Sequence, residues 1–129
     1  MSYDSTKDTI EHIRRVSSLL SKMAMNLLSR GVEHDSSKLR TPEKEVFDEF
    51  TPKLKGSTYG SEEYKTFLKE MGKGLENHYA MNHHHPEHYQ EGIDGMDLID
   101  LLEMMCDWKA ATERHENGDG SYLFHLHLF

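Results

Sequence analysis

The chain is poor in the residues that build cross-links and membrane anchors. Its 129 residues include one cysteine, Cys106, so no disulfide can form within the chain, and this fits a reducing compartment. No apolar run approaches the length of a membrane span, and the start of the chain lacks the basic and apolar segments of a signal peptide. We therefore expect a cytoplasmic protein without membrane association.

Positive charge is also scarce. Fifteen Lys and Arg residues stand against 23 Asp and Glu residues, which gives a net charge of −8 with histidine neutral. A negative surface disfavours extended contact with nucleic-acid backbones and with anionic membranes. A small phosphorylated ligand remains compatible with this charge, because a bound cation reverses the local field.

Strand patterns are missing before residue 121, where apolar residues recur at three- and four-residue spacing instead. The length suits one domain, which we expect over 1–129, with its core at about 5–117 and a tail at 118–129. The first predicted helix runs from Ser5 as N-cap to Gly31 as C-cap. A packed tail, an interface strand and a cloning artefact remain alternatives for the last residues.

Capping residues, prolines and glycines delimit the other predicted helices. These helices run from Thr41 to before Pro52, from Ser61 to His78 with a middle weakened by Gly72 and Gly74, and from Met96 or Asp97 to about Asn117. The pattern predicts an all-α fold with about four to six helices.

Histidine is abundant, and its positions are the strongest functional signal in the chain. His34 and Asp35 open one segment, while His78 and the run 82–88 lie much further on. Imidazole nitrogens and carboxylate oxygens are ligands of divalent first-row metals. Ligands in separate segments predict a site assembled between helices. A tag remnant is the alternative for the run, but this run is internal and is interrupted by Pro86.

Three carboxylates share one face of the last predicted helix. Asp100, Glu103 and Asp107 are spaced by three and four residues, so they repel one another unless a cation lies opposite. A solvated acidic stripe is the ordinary interpretation, and the histidines of the preceding loop favour a metal site instead. His12 borders the apolar stripe of the first helix, where a histidine is more often a border residue than a ligand.

The order of these motifs resembles the HD superfamily of metal-dependent phosphohydrolases, and particularly its HD-GYP branch, with the pattern HDxxK, H, HH and D. The matching residues are His34, Asp35, Lys38, His78, His84, His85 and Asp107. The resemblance implies an HD-like helical bundle with one or two divalent ions held by the histidines and aspartates of this set. His12 and His88 are further candidate ligands.

The chain also departs from the HD-GYP pattern. The GYP signature is missing, and the segment 92–95 stands nearby instead. Specificity for cyclic dinucleotides is therefore not carried over. The elements HDxSK, HHPEH and CDW-A resemble more closely a small family found in bacteria and their phages. That resemblance covers most of 10–117 and implies no activity.

The HD resemblance implies hydrolysis of a nucleotide or a related phosphorylated small molecule, dependent on Mn, Fe, Co, Ni, Zn or Mg. Asp35 would bridge two ions, and Lys38, or alternatively Arg40, would stabilise phosphate charge. Glu103 would support a ligand or act as an acid–base group. Aromatic residues suited to stacking on a base, or simply to packing, are Tyr79, Tyr89 and Trp108.

Two other classes of function fit the same residues. The first is a non-catalytic module that binds metal and nucleotide and so sequesters a nucleotide signal. The second is a structural metal-binding protein that assembles into a homo-oligomer through its methionine-rich helices and apolar tail. Metal-dependent turnover separates the hydrolase from both alternatives.

Overall fold

The computed structural model describes residues 1–113, and every regular element in that range is helical. The elements are α1 (Thr6–Glu33), a 3-10 helix (Ser36–Leu39), α2 (Glu43–Lys55), α3 (Glu62–Glu70), α4 (Gly72–Met81), 3-10 helices at Pro86–His88 and Gly92–Gly95, and α5 (Leu98–Glu113). The all-α prediction is confirmed. The predicted tail at 118–129 and the end of the last predicted helix lie outside the described residues.

The chain forms two compact units, Met1–Val32 and the part from Glu33 onward. The single domain expected over 1–129 stays a prediction. The first unit consists mainly of α1, which begins directly after Ser5 as predicted. The expected C-cap at Gly31 was wrong, because α1 continues to Glu33 and the left-handed residue that follows it is Asp35, with φ 53°.

Helix α2 continues through Pro52 to Lys55, so the predicted end before this proline was wrong. Pro52 lies in the last turn, where the helix loses the one hydrogen bond that an N–H at this position would donate. The ring of Phe50, just before it, packs 6.4 Å from the ring of Phe67 on α3. Packing of α2 against its neighbours offsets the local cost of the proline.

The long helix expected over 61–78 is two helices. Ser61 caps α3 as predicted, since its hydroxyl accepts the backbone N–H of Tyr64 at 3.1 Å. The chain breaks at Gly72, whose φ of +48° favours glycine. A Cβ at Gly74 would lie 2.7 Å from atoms of Val46, so α4 lies close against α2 at this position.

A reciprocal capping pair begins α5. The backbone N–H of Asp100 donates to Asp97 at 2.8 Å, and the N–H of Asp97 donates to Asp100 at 3.1 Å. Of the two predicted starts, Met96 and Asp97, the structure has Asp97 as the cap, and α5 begins at Leu98. Among residues 1–113, no helix has both the length and the apolar character that crossing a membrane requires.

Polar side chains make up much of the buried interior of the second unit. The buried apolar residues are Phe50, Met71, Met96 and Met104. The buried polar residues are Ser37, Glu43, His78, Asn82, His84, Asp100 and Thr112. Buried polar groups are costly without partners, so their concentration in a small interior points to a site rather than to ordinary packing.

Candidate metal centre

Histidine and aspartate side chains from several segments of the second unit converge at one place. They form two groups that share His84, and in each group one ligand atom of every member lies within 4.8 Å of the others. The groups are Asp35, His78, His84 and His85, and His34, His84 and Asp107. All six ligands predicted from the HD resemblance are therefore brought together, in a His/Asp arrangement that could hold a metal ion.

Asp35 lies at the centre of the first group because of its backbone conformation. Its φ of 53° is left-handed, and the residue directly precedes the 3-10 helix at Ser36–Leu39. Asp35 Oδ1 lies 3.4 Å from His78 Nε2 and 3.3 Å from His84 Nε2. The other oxygen, Oδ2, accepts a hydrogen bond from Lys38 Nζ at 2.6 Å.

The loop after α4 directs its neighbouring histidines differently. His84 is buried, with 1% of its surface exposed, whereas His83 is exposed. His85 has an extended backbone before Pro86, as the proline requires. His78 Nε2 and His85 Nε2 lie 2.9 Å apart. The loop thus contributes two adjacent imidazoles to the first group.

His88 and His12, the less certain predicted ligands, belong to neither group. His88 Nδ1 lies 2.9 Å from the backbone carbonyl of Tyr79, and its ring packs 4.1 Å from that of His83. His12 lies on α1 and is exposed.

A buried carboxylate that we did not predict supports His78. Glu43 is fully buried, and its Oε2 lies 2.8 Å from His78 Nδ1 and accepts a hydrogen bond from Ser37 at 2.9 Å. Its Oε1 accepts the side-chain amide of Asn77 at 2.8 Å. Asn82, the C-cap residue of α4, donates its side-chain amide N–H to Ser37 Oγ at 2.9 Å. In the sequence Glu43 looks like an ordinary acidic residue of a first helical turn, so no signal marked it.

Helix α5 supplies the second supporting carboxylate. Glu103 Oε1 lies 2.9 Å from His34 Nδ1 and 3.1 Å from His84 Nδ1, although only the first contact has hydrogen-bond geometry. One turn further on, Asp107 lies 3.6 Å from the Nε2 atoms of both histidines. Asp100 points elsewhere and accepts the hydroxyl of Tyr89 at 2.6 Å. Of the three carboxylates predicted to share one face, Glu103 and Asp107 therefore lie at the site, whereas Asp100 caps the start of α5.

The carboxylates around His34 raise its pKa to about 9. The contact with Asp107 is the main cause, and Glu103 adds to it against the effect of burial. By contrast, burial lowers the pKa of His78, and burial together with the neighbouring His84 and His78 lowers that of His85 to about 3. Near neutral pH the His34 imidazole is therefore positively charged, while those of His78 and His85 are neutral.

The aspartates of the site are ionised. Burial opposes ionisation of Asp35, but His84 and Lys38 outweigh it and hold its pKa well below the usual range. Burial likewise opposes ionisation of Asp107, whose pKa is lowered by the contact with His34. Two carboxylates in one part-buried site call for compensating positive charge.

The donor set fits a divalent cation. Glu43 Oε2 already accepts the hydroxyl of Ser37, and with the proton of neutral His78 on Nδ1 toward this carboxylate, a lone pair stays on Nε2. That lone pair faces Asp35 Oδ1, a buried oxygen without a hydrogen-bond partner, and His84 Nε2 is unpartnered beside it. His85 Nε2 lies 2.9 Å from His78 Nε2, so a third imidazole nitrogen faces the same place.

A cavity of about 330 Å³ lies beside this network. Its lining includes Arg40, Ser37, which contacts Glu43, and Asn82, which contacts His78. Arg40, considered above as an alternative to Lys38, therefore lies at this cavity. Lys38 lies directly at Asp35 instead, with its ammonium 4.6 Å from the centre of the Phe47 ring.

Comparison with known proteins places the chain in a family without giving it an activity. The chain belongs to the family of unknown function DUF5662, whose model matches residues 1–125. No curated protein matches the chain, and no solved structure does. The case for a function therefore depends on the site.

Proposed function

We propose that this member of the DUF5662 family is a metal-dependent phosphohydrolase that acts on a nucleotide or a related phosphorylated small molecule. The observation that carries the proposal is the convergence of His34, Asp35, His78, His84, His85 and Asp107, with lone pairs and charges aimed at a common place. The motif order that resembles the HD superfamily supports the same reading.

The histidines and aspartates of the two groups would hold one or two divalent ions. Mixed nitrogen and oxygen ligands suit Mn, Fe, Co, Ni and Zn better than Mg, which prefers oxygen. A cation in such a site supplies hydroxide at neutral pH and polarises a phosphoryl group. The carboxylates of Glu43 and Glu103 keep the imidazoles oriented for it.

Lys38 is the residue best placed to meet the phosphate. Its ammonium lies at Asp35 Oδ2, its side chain is about one third exposed, and Phe47 limits its movement. A protonated lysine has no lone pair for a metal but offers three donors to phosphate oxygens. Glu103 instead contacts His34 and His84, so we assign it the positioning of these imidazoles rather than proton transfer.

Metal analysis and a substrate screen test the proposal together. Protein without a histidine tag is analysed for bound metals, then assayed with each metal against nucleotides and other phosphate esters. Asp35→Asn should lose metal and activity while keeping its helical circular dichroism. Asp48→Asn is the matched control, because Asp48 is an exposed residue paired with Lys44.

The outcomes separate the hydrolase from the sequestering module and test Asp35 as a ligand. Metal-dependent turnover that Asp35→Asn abolishes supports the proposal. A filled metal site that binds nucleotides without turnover would overturn it in favour of a sequestering module. Full metal occupancy in Asp35→Asn would remove Asp35 from the ligands.

A further inference from the structure

The loop 82–88 carries His84 and His85, and it must be fixed relative to α4 if its imidazoles are to face the same place as the histidine of that helix. Two backbone hydrogen bonds shape the loop. The N–H of His85 donates to Asn82 at 3.4 Å, and the N–H of His88 donates to His85 at 3.0 Å. Both ends of each bond lie within 82–88, so these bonds fold the loop without attaching it to the body of α4.

The side chain of His88 makes that attachment. Its Nδ1 lies 2.9 Å from the backbone carbonyl oxygen of Tyr79, in the last turn of α4. The carbonyls of a last turn have no partner within their own helix, and an imidazole N–H is one of the groups that satisfies them. Asn82 does the same for the preceding carbonyl, since its amide donates to the backbone oxygen of His78 at 2.8 Å.

The contact with Tyr79 also fixes a proton on His88. A carbonyl oxygen only accepts hydrogen bonds, so Nδ1 of His88 carries the hydrogen and donates it. The neutral ring is therefore the tautomer with its hydrogen on Nδ1. This assignment depends on one contact inside the second unit and on no bound ion.

Tyr79, His85 and His88 form a closed set of contacts. Tyr79 accepts the imidazole N–H of His88, and His88 in turn donates its backbone N–H to His85. The ring of His85 lies 5.1 Å from the ring of Tyr79, which closes the set. His85 is thus tied to α4 through both its backbone and its ring, and a movement of the loop away from α4 would break these contacts together.

We propose that His88 is a positioning residue, which sets His85 and the rest of the loop against α4 so that the imidazoles of both elements face one ion. This role replaces that of a ligand, for which His88 was a candidate from the sequence. The proposal rests on the metal site of the proposed function, but not on hydrolysis or on any substrate.

Two substitutions of His88 separate a positioning residue from a ligand. His88→Ala removes the donor to Tyr79 and should weaken the binding of Zn²⁺ and Co²⁺ by about tenfold, the lower end of the effect of losing a supporting group. His88→Asn should bind both metals as wild type does, because the asparagine amide nitrogen replaces Nδ1 as the donor. It has no imidazole, so the loss of a true ligand would weaken binding in both variants.

Calorimetry gives the affinities, and the absorption spectrum of bound Co²⁺ reports the ligands. This spectrum should be the same in wild type and His88→Asn, and circular dichroism verifies that each variant is folded. His83→Ala is the matched control, because His83 is exposed and its ring packs 4.1 Å from that of His88. It should leave the affinity unchanged. An equal loss in His83→Ala and His88→Ala would assign the effect to ring packing and overturn the proposal, as would an equal loss in His88→Asn and His88→Ala.

A measurement on the metal-free protein makes the test independent of the ion. NMR of the ring nitrogens at alkaline pH should show His88 with its hydrogen on Nδ1, and a hydrogen on Nε2 would overturn the proposal. Wild type that binds none of the metals would overturn the proposed function together with this role. Metal-dependent turnover with equal metal affinity in wild type and His88→Ala would overturn the role of His88 alone.

Discussion

At the scale of single residues, the site depends on carboxylates that would not themselves touch a metal. Glu43 is fully buried and receives three polar contacts, and one of these sets the proton of His78 on Nδ1. Glu103 on α5 supports His34 in turn, with its Oε1 2.9 Å from His34 Nδ1. Supporting groups of this kind raise ligand basicity and restrict ring rotation.

We predict that Glu43→Gln weakens metal binding by about 10- to 100-fold, the usual effect of losing such support. The amide keeps the shape but lacks the charge, and it can turn a donor toward His78. The measurement is titration calorimetry with Zn²⁺ and Mn²⁺. Glu45→Gln is the control, because Glu45 lies on the same helix and is exposed. Equal affinities in wild type and Glu43→Gln would show that His78 needs no carboxylate.

Lys38 is a second single residue on which the proposed reaction depends, because its ammonium would bind the phosphate of the substrate. On a substrate that the protein turns over, Lys38→Ala should lower kcat/KM by about a hundredfold or more, the typical cost of losing a partner for transition-state charge. Metal content should change little, and Lys38→Arg should restore part of the rate. Lys44→Ala, which removes only an exposed ion pair, is the control. An unchanged rate in Lys38→Ala would remove this lysine from the mechanism.

At the scale of elements, the close approach of α4 to α2 brings His78 to Glu43. Glycine at position 74 permits this approach, because a Cβ there would meet the Val46 side chain at 2.7 Å. We predict that Gly74→Ala lowers the free energy of unfolding by about 1–3 kcal/mol, the usual cost of overpacking. It should also weaken metal binding, since the clash displaces α4.

Gly31→Ala provides the matched control for that measurement. Gly31 lies inside α1, and a Cβ there would meet nothing within 4 Å. Alanine should therefore stabilise the helix by about 0.5–1 kcal/mol. Urea denaturation of both variants gives the two values. A Gly74→Ala protein as stable as wild type would show that α2 and α4 separate without cost.

At the scale of the whole molecule, the site should make the stability of the metal-free protein depend on pH in both directions. In the folded protein the pKa of His34 is raised to about 9, whereas in the unfolded chain it is about 6.5. Protonated His34 therefore stabilises the fold, and its full contribution is present below about pH 6.5. This contribution is lost as the pH rises through about 9. His85, with its pKa lowered to about 3, acts in the opposite sense, because below about 6.5 the unfolded chain binds a proton that the folded chain refuses.

We therefore expect the metal-free protein to be most stable near pH 6.5, and thermal melts in the presence of a chelator across the pH range measure this. His34→Gln should flatten the alkaline side of the profile, and His85→Gln should flatten part of the acid side. His12→Gln, an exposed change on α1, should alter neither. A profile of wild type that rises steadily to pH 9 would contradict the charge assigned to His34.

Local signals in the sequence are enough to predict the helical class and the ligand candidates. Three- and four-residue apolar spacing, together with caps such as Ser61 and Asp97, is enough to place helices, because these signals are local. The ordered motif of His34, Asp35 and His84 was equally visible, since residue type limits which side chains can bind a metal.

The tertiary structure alone decided how these elements end and what supports the site. Helix α2 passes through Pro52 because packing between helices outweighs the local preference of the proline. The segment that Gly72 weakens becomes a complete break, and α4 begins there. Glu43 acquired its role only when α4 brought His78 to it, 35 residues along the chain. Asp100 shares a helix face with Glu103 and Asp107 in the sequence pattern, but it does not join the site. Its buried carboxylate accepts the hydroxyl of Tyr89 instead, another contact between residues distant in the chain. A contact between distant residues leaves no local pattern, so only the folded chain reveals it.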